Sequence, residues 1–221
     1  MNEDKTYYLH QLYPLQDQVL RVVSEADTSF YLTGGTAVSR VYLHHRFSDD
    51  LDLFVNWDKN YKQWCDQILA LLSAQTDWQL EISTRQQYYT RVFVHQANLS
   101  LKIELINDVL SHVGGFQQHP VLGKLDSAEN ILANKLTALL GREEARDLAD
   151  VWGLCTKLGL SIKDAIAGAQ SKSSGISPVG LARRLCTATH KDWEQVRWIN
   201  APEPDQYLAD LFRLGEGLVL V

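Results

Sequence analysis

The sequence predicts an α+β chain: a mixed or largely antiparallel sheet with flanking helices, followed by a small helical lobe. Three observations carry that reading. Residues 78–82, 89–95 and 99–106 alternate apolar and polar side chains, the period of a half-buried strand. Residues 13–24 and 61–73 instead repeat apolar side chains at helical spacing, and beyond a glycine-rich break at 113–123 nearly all the periodicity is helical.

In chain order, the first helix sets Leu15, Val19, Leu20 and Val23 on one side, a face suited to packing behind a sheet. A short apolar run, Phe30, Tyr31 and Leu32, then stops at Gly34 and Gly35. Ala37, Val38, Val41 and Tyr42 follow at helical spacing, and a second run alternates from Asp50 to Val55. The second helix carries Trp64, Ile68, Leu71 and Leu72, and three strands come after it, split by short polar turns. The break from Val113, Gly114 and Gly115 to Gly123, with Pro120 inside it, is the expected boundary between a core, residues 1–123, and a helical lobe, residues 124–221. Within the lobe, 171–178 is a looser serine- and glycine-rich segment, expected to be a loop.

Composition limits the function. A chain of 221 residues can bury a substantial core, and its net charge of −6 offers no general grip on nucleic acid. Any RNA contact is therefore expected to be local, with Arg183, Arg184, Lys191 and Arg197 as the candidate patch, although scattered solvated surface charge is the preferred reading of them. Cys65, Cys155 and Cys186 are odd in number and far apart, which suggests reduced core thiols and neither a disulfide frame nor a zinc site. The polar start and the short apolar runs point to a cytoplasmic protein with no membrane partner. The histidines show no metal-binding or hydrolase spacing, and the tryptophans fall mainly at packing positions.

The chemistry concentrates in residues 30–55. Two glycines ahead of a helix let backbone N–H groups approach phosphate closely, and Thr36 adds a hydroxyl there. The strand period sends Asp50 and Asp52 to one face and Leu51, Leu53 and Val55 to the other. Two carboxylates that close repel unless a cation sits between them, so the pair suggests a hard divalent ion with oxygen ligands. On 99–106, Glu104 shares a polar face with Ser100 and Lys102 and is presented in the same manner; Asp108, past the regular alternation, is the fallback acid. The competing reading makes all of these acids solvated residues of half-exposed strands.

The pattern Gly34-Gly35-Thr36 followed by Arg46, Ser48, Asp50 and Asp52 resembles the DNA polymerase β-like nucleotidyltransferases, and within them the AbiEii/AbiGii toxins of type IV toxin–antitoxin and abortive-infection systems. A later run, Lys135 and then Arg146-Asp147 with Asp150, resembles the C-terminal motifs of the same toxins. The resemblance implies a polymerase β-like core and transfer of a nucleotide from a nucleoside triphosphate to an acceptor, a transfer RNA 3′ end or another cellular target. It also implies a cognate antitoxin. Asp50, Asp52 and Glu104 are then expected to bind two Mg2+ ions, with Mn2+ as the alternative, and Glu104 to help deprotonate the attacking hydroxyl. Gly34, Gly35, Thr36 and Ser39, with Arg46 and Ser48 beside them, are expected at the phosphates. Lys135 is expected on the β- and γ-phosphates from a cleft between the lobes, with Asp150 completing the site and Arg46 or Arg146 assisting. Asp147 is placed equally by function or by a structural ion pair. Two alternatives of other classes remain, a kinase-like phosphoryl transferase using the same cleft and a non-catalytic module that binds nucleotide or antitoxin.

Overall fold

Seven strands make one mixed sheet in the computed structural model, which describes residues 3–219. They are β1 (Tyr31–Thr33), β2 (Leu51–Asn56), β3 (Gln79–Arg85), β4 (Tyr89–Gln96), β5 (Leu99–Asp108), β6 (Gln117–His119) and β7 (Gly123–Leu125). The order across the sheet is β3-β4-β5-β2-β1-β7-β6, with β2 parallel to β5, β1 parallel to β7 and the other neighbours antiparallel. Alternation is the reason the central strands hold. Leu51, Leu53 and Val55 of β2 and Leu101, Ile103 and Leu105 of β5 are all buried on the side away from the acids.

The helices on the sheet are α1 (Glu3–Tyr7), α2 (Tyr13–Glu25), α3 (Gly34–Ala37) and α4 (Tyr61–Ser73), with a wide π-helical turn at Tyr8–Leu12 between the first two. Helix α2 buries Leu15, Val19, Leu20 and Val23, and α4 buries Cys65, Ile68, Leu69 and Leu72. The Tyr61 hydroxyl donates to the Leu105 carbonyl at 2.9 Å, tying α4 to the central strand.

The remaining helices are α5 (Ala128–Gly141), α6 (Ala145–Thr156), α7 (Ile162–Lys172), α8 (Pro178–Cys186), α9 (His190–Glu194) and α10 (Pro204–Glu216). Ser127, Ser161, Ser177 and Thr189 cap α5, α7, α8 and α9 by accepting from backbone N–H groups of the first turn. Trp152, Trp193, Trp198 and Tyr207 pack as one aromatic cluster, with Trp198 and Tyr207 at 5.6 Å between ring centres. Trp57 departs from the packing role expected of the tryptophans: it is 61% exposed and stacks on Tyr88.

The chain divides into two compact units, and the division is not one cut near residue 123. The sheet unit holds the residues up to Ala37 together with Ser48–Leu110 and Phe116–Asp126. The helical unit takes Val38–Phe47 and Ser111–Gly115 as well as the chain from Ser127 onward. Side-chain contacts give the reason: Arg46 reaches Asp150, and Val113 accepts from Ser127 Oγ while its N–H donates to Asn130. The helix expected around 37–42 is a single α turn, α3, followed by a π-helical turn at Val38–Leu43 that His44 ends at φ +50°. Strands β6 and β7 occupy the region expected to be only a boundary.

Gly215 of α10 lies so close to α8 that an added Cβ would stand 2.9 Å from the Ala182 carbonyl oxygen and 2.5 Å from Cys186 Sγ. Gly215→Val should therefore lose about 1–3 kcal/mol in urea unfolding. Gly217→Ala, whose new methyl meets nothing nearer than 3.4 Å, should change stability by no more than about 0.5 kcal/mol. Equal losses in the two variants would contradict this close packing.

Candidate active site

The apolar alternation of β2 and β5 fixes their register, and the register decides where the acids fall. Leu51 pairs with Ile103 and Leu53 with Leu105, so Asp52 stands directly beside Glu104 on the opposite face. Asp50 precedes β2, and Lys102 of β5 places its Nζ 2.9 Å from Asp50 Oδ2 and 3.5 Å from Glu104 Oε2. From β4, Arg91 is registered opposite Glu104 and gives Oε1 two hydrogen bonds, from Nε at 2.9 Å and Nη2 at 2.7 Å. The Tyr89 hydroxyl donates to the same oxygen. Burial alone would raise the Glu104 carboxyl, but the Tyr89 and Arg91 hydrogen bonds and the positive charges of Lys102 and Arg91 outweigh it and hold it below the usual range. Tyr89 is pushed up to about 12, chiefly by burial and then by its bond to Glu104. Tyr89, Arg91 and Lys102 were not singled out by sequence, because cross-strand register is not visible in it.

The glycine turn leads into this face. Thr33 of β1 pairs with Asp52, and Gly34 follows at φ +66°. A methyl group on Gly34 would overlap Oδ2 of Asp52 and lie 3.0 Å from its Cγ, so a side chain there would strain the backbone and push the Asp52 carboxylate out of place. The Thr36 hydroxyl donates to the Asp50 carbonyl and lies 3.0 Å from Ser48 Oγ. Both side chains are buried and brace the chain that carries Asp50. Gln16 Nε2 does the same from α2, donating to the carbonyls of Ser48 at 3.2 Å and Asp49 at 3.0 Å.

The helical unit holds a second constellation. Asp150 of α6, fully buried, accepts from Arg46 Nε at 2.7 Å and Nη2 at 2.8 Å, a two-point pairing. It also accepts from Lys135 of α5 at 2.6 Å and lies 3.0 Å from His45 Nε2. Asp147, equally buried, accepts from Lys135 at 2.7 Å and from Arg142 at 2.8 and 3.2 Å. Desolvation opposes ionisation of both aspartates, yet their cationic partners hold both carboxyls below the usual range, Asp150 well below it. His45 is lowered by burial, consistent with a neutral ring donating from Nε2, and its Nδ1 has no hydrogen-bond partner. The Ser39 hydroxyl donates to the Arg46 carbonyl inside the same unit. Arg146 is half-exposed, with its Nε 3.7 Å from Glu144.

The sheet thus brings Gly34, Thr36, Ser48, Asp50, Asp52 and Glu104 together, while Ser39, Arg46, Lys135, Asp147 and Asp150 meet in the helical unit. The Lys135 ammonium, expected at phosphates, is here held by two buried aspartates. As for metal, no group of three histidine, cysteine or acidic side chains stands at ligand spacing among the described residues. Yet the hard oxygen donors of Asp50 and Glu104 already share a cation, the Lys102 ammonium, so this face is built to receive positive charge.

A mixed sheet with a glycine turn set against an in-register acid pair is the architecture of a nucleotidyltransferase core. The model of the AbiEii nucleotidyl transferase toxins of type IV toxin–antitoxin systems matches residues 18–198, and the chain belongs to that family. Its fold is shared with MenT4, a nucleotidyltransferase toxin from Mycobacterium tuberculosis (TM-score 0.65, 19% identity, covering 95% of this chain and 83% of that one). It is shared also with JHP933 from Helicobacter pylori (TM-score 0.63, 18% identity, 94% and 92%). A third match is a putative nucleotidyltransferase from H. pylori (TM-score 0.60, 18% identity, 93% of each chain). No curated protein sequence matches significantly. No helix among the described residues is long and apolar enough to cross a membrane.

Asp150→Asn should leave Arg46 and Lys135 without their shared counter-charge and cost about 3–5 kcal/mol of unfolding free energy at neutral pH. The carboxyls of Asp147 and Asp150 are lowered by folding, so their contribution is complete above the ordinary aspartate range and disappears as pH falls through the folded values. The gap between wild type and Asp150→Asn should hence narrow below about pH 4, in urea titrations run across pH.

Proposed function

We propose that this protein uses a nucleoside triphosphate to transfer a nucleotide onto a cellular acceptor, as the toxin of a type IV system held in check by a cognate antitoxin. The observation that carries the reading is Gly34, bare of a side chain and pressed against Asp52, which stands in register with Glu104. The missing Cβ lets the Asp52 carboxylate lie directly against the turn, so backbone N–H groups and the acids that a phosphate-bound cation needs stand side by side.

In this reading Gly34 and Gly35 present backbone N–H groups to the triphosphate, and Thr36 and Ser48 hold the turn and the acid-bearing strand in fixed relation. Asp50 and Asp52, with Oε2 of Glu104, would hold two Mg2+ ions, or Mn2+, whose chemistry is to neutralise phosphate charge and acidify the attacking hydroxyl. The acceptor oxygen attacks the α-phosphorus, the bond from that phosphorus to the bridging oxygen breaks, and pyrophosphate leaves. Glu104, held in place as a carboxylate by Arg91 and Tyr89, helps to take the proton of the attacking hydroxyl. The acceptor we propose is the 3′ end of a transfer RNA or another cellular target. Lys135 and Asp150 serve this function through the fold of the helical unit, with Lys135 a phosphate ligand only if its pairs with Asp147 and Asp150 open.

Incubation with each triphosphate labelled at the α- or the γ-position, Mg2+ and total RNA, followed by separation of products, tests the reading. The α-label should appear on RNA, and Asp50→Asn should lower its transfer on the order of a hundredfold or more while the protein stays folded by circular dichroism. Transfer at the wild-type rate in that variant would overturn the mechanism, and γ-label on the acceptor would make the protein a phosphoryl transferase.

A further inference from the structure

Lys102 lies two residues before Glu104 on β5 and shares its face. Its ammonium stands between Asp50 Oδ2, at 2.9 Å, and Glu104 Oε2, at 3.5 Å. The other Glu104 oxygen is occupied by Arg91 and Tyr89, so the oxygen facing Lys102 is the one left for a further cation. Asp50 and Glu104 thus direct at Lys102 the atoms that a divalent ion on this face would use.

The lysines of the two acid clusters differ in how firmly they are kept. Lys135 is 7% exposed and its partners are fully buried, whereas Lys102 is 25% exposed and Asp50 22%. Ion pairs open to water are weak and easily exchanged, while buried ones cannot be broken without stranding a charge. Lysine is also suited to exchange, being a point charge on a flexible four-carbon stem, unlike the forked guanidinium of Arg91 that grips Oε1 twice.

We propose that Lys102 is an internal counter-ion: it holds Asp50 and Glu104 together while no metal is bound, and a divalent cation must displace its ammonium to bind there. Resting on the metal reading above, this gives Lys102 two positions, one on the acids and one swung outward toward anionic ligand. The lysine keeps neighbouring carboxylates from repelling and sets the metal affinity below that of the bare acids.

Mn2+ binding followed by electron paramagnetic resonance, without nucleotide, tests it on the whole chain. Lys102→Met should bind Mn2+ roughly fivefold more tightly than wild type, the effect of releasing two partly exposed ion pairs. Lys102→Arg, which keeps the charge, should show no such gain, and Asp50→Asn should bind more weakly. Wild-type binding that weakens in Asp50→Asn but is no tighter in Lys102→Met would overturn the counter-ion role and leave the metal reading standing. Absence of Mn2+ binding in wild type and Lys102→Met alike would overturn both. If Lys102→Met fails to fold, 13C-methylated wild-type protein answers the same question: Mg2+ should shift the Lys102 methyl resonance, and an unmoved resonance at saturating Mg2+ would overturn the proposal.

Discussion

Two carboxylates held side by side on neighbouring parallel strands repel each other, and the sheet face is organised around that repulsion. The pairing of Asp52 with Glu104 is not chosen by the acids; it is imposed by the apolar residues between them. Slipping β2 by one residue would turn Leu51 and Leu53 out of the core and Asp52 into it, and slipping β5 would do the same to Leu101, Ile103 and Leu105 and to Glu104. The core therefore enforces a charge problem on the opposite face. Like charges at directly opposed positions destabilise a sheet unless something offsets them. Here Arg91 and Lys102 do so, each from a strand position whose alternation points it at the same face.

The helical unit meets the same problem by burial. Asp147 and Asp150 are removed from water entirely, which is unfavourable for ions, and each is then surrounded by donors. An apolar cluster of the same volume would be at least as stabilising, so the gain is one of position. Asp150 fastens Arg46 from two directions, and the main chain beside it is held as well, through Phe47 N–H to the Arg197 carbonyl at 2.8 Å and Ile199 N–H to the His45 carbonyl at 2.8 Å. The segment 38–47 is thereby pinned to α6 and to the chain after α9. The arginine of the motif that opens at Arg46 thus acts on the helices of its own unit, while Ser48, Asp50 and Asp52 belong to the sheet.

Much of the core could be seen in the chain itself, because alternation and helical spacing report local burial. Helix α4 spans Tyr61–Ser73, as its periodicity indicates, and the strands differ from expectation by a few residues at their ends, as at β3, which continues to Arg85. Glycine at position 34 was legible as a turn, but its contact with Asp52 was not. Strands β6 and β7 escaped notice because three residues are too few to show a period; a turn closed by His119 Nδ1, accepting from the N–H groups of Val121 and Leu122, makes the hairpin. Lys102, Arg91 and Tyr89 escaped for a different reason. Each reads as an ordinary polar residue of a half-exposed strand; Lys102 shares the face of Glu104 by alternation along β5, but only the pairing of β4 with β5 shows that Arg91 and Tyr89 converge on the same carboxylate. Lys135 falls at an apolar phase of α5, four residues from Ile131 and from Leu139, a signal of burial that does not distinguish a ligand-facing amine from one paired inside the fold.

Glutamate at position 104, where aspartate would be the shorter choice, follows from that convergence. Its two oxygens face different neighbours: Oε1 takes Arg91 and Tyr89 from β4, and Oε2 faces Lys102 and, beyond it, Asp50. Reaching across to β4 while keeping an oxygen on the β2 side requires a carboxylate held away from the strand axis, and the extra methylene supplies that reach. An aspartate in the same register would sit closer to the backbone and give up one set of partners. The tether through Oε1 also answers the flexibility that a longer side chain introduces, because two guanidinium hydrogen bonds and the Tyr89 hydroxyl hold that one oxygen in place. Length and restraint thus act together, leaving Oε2 as a positioned oxygen on the acid face instead of a freely rotating one.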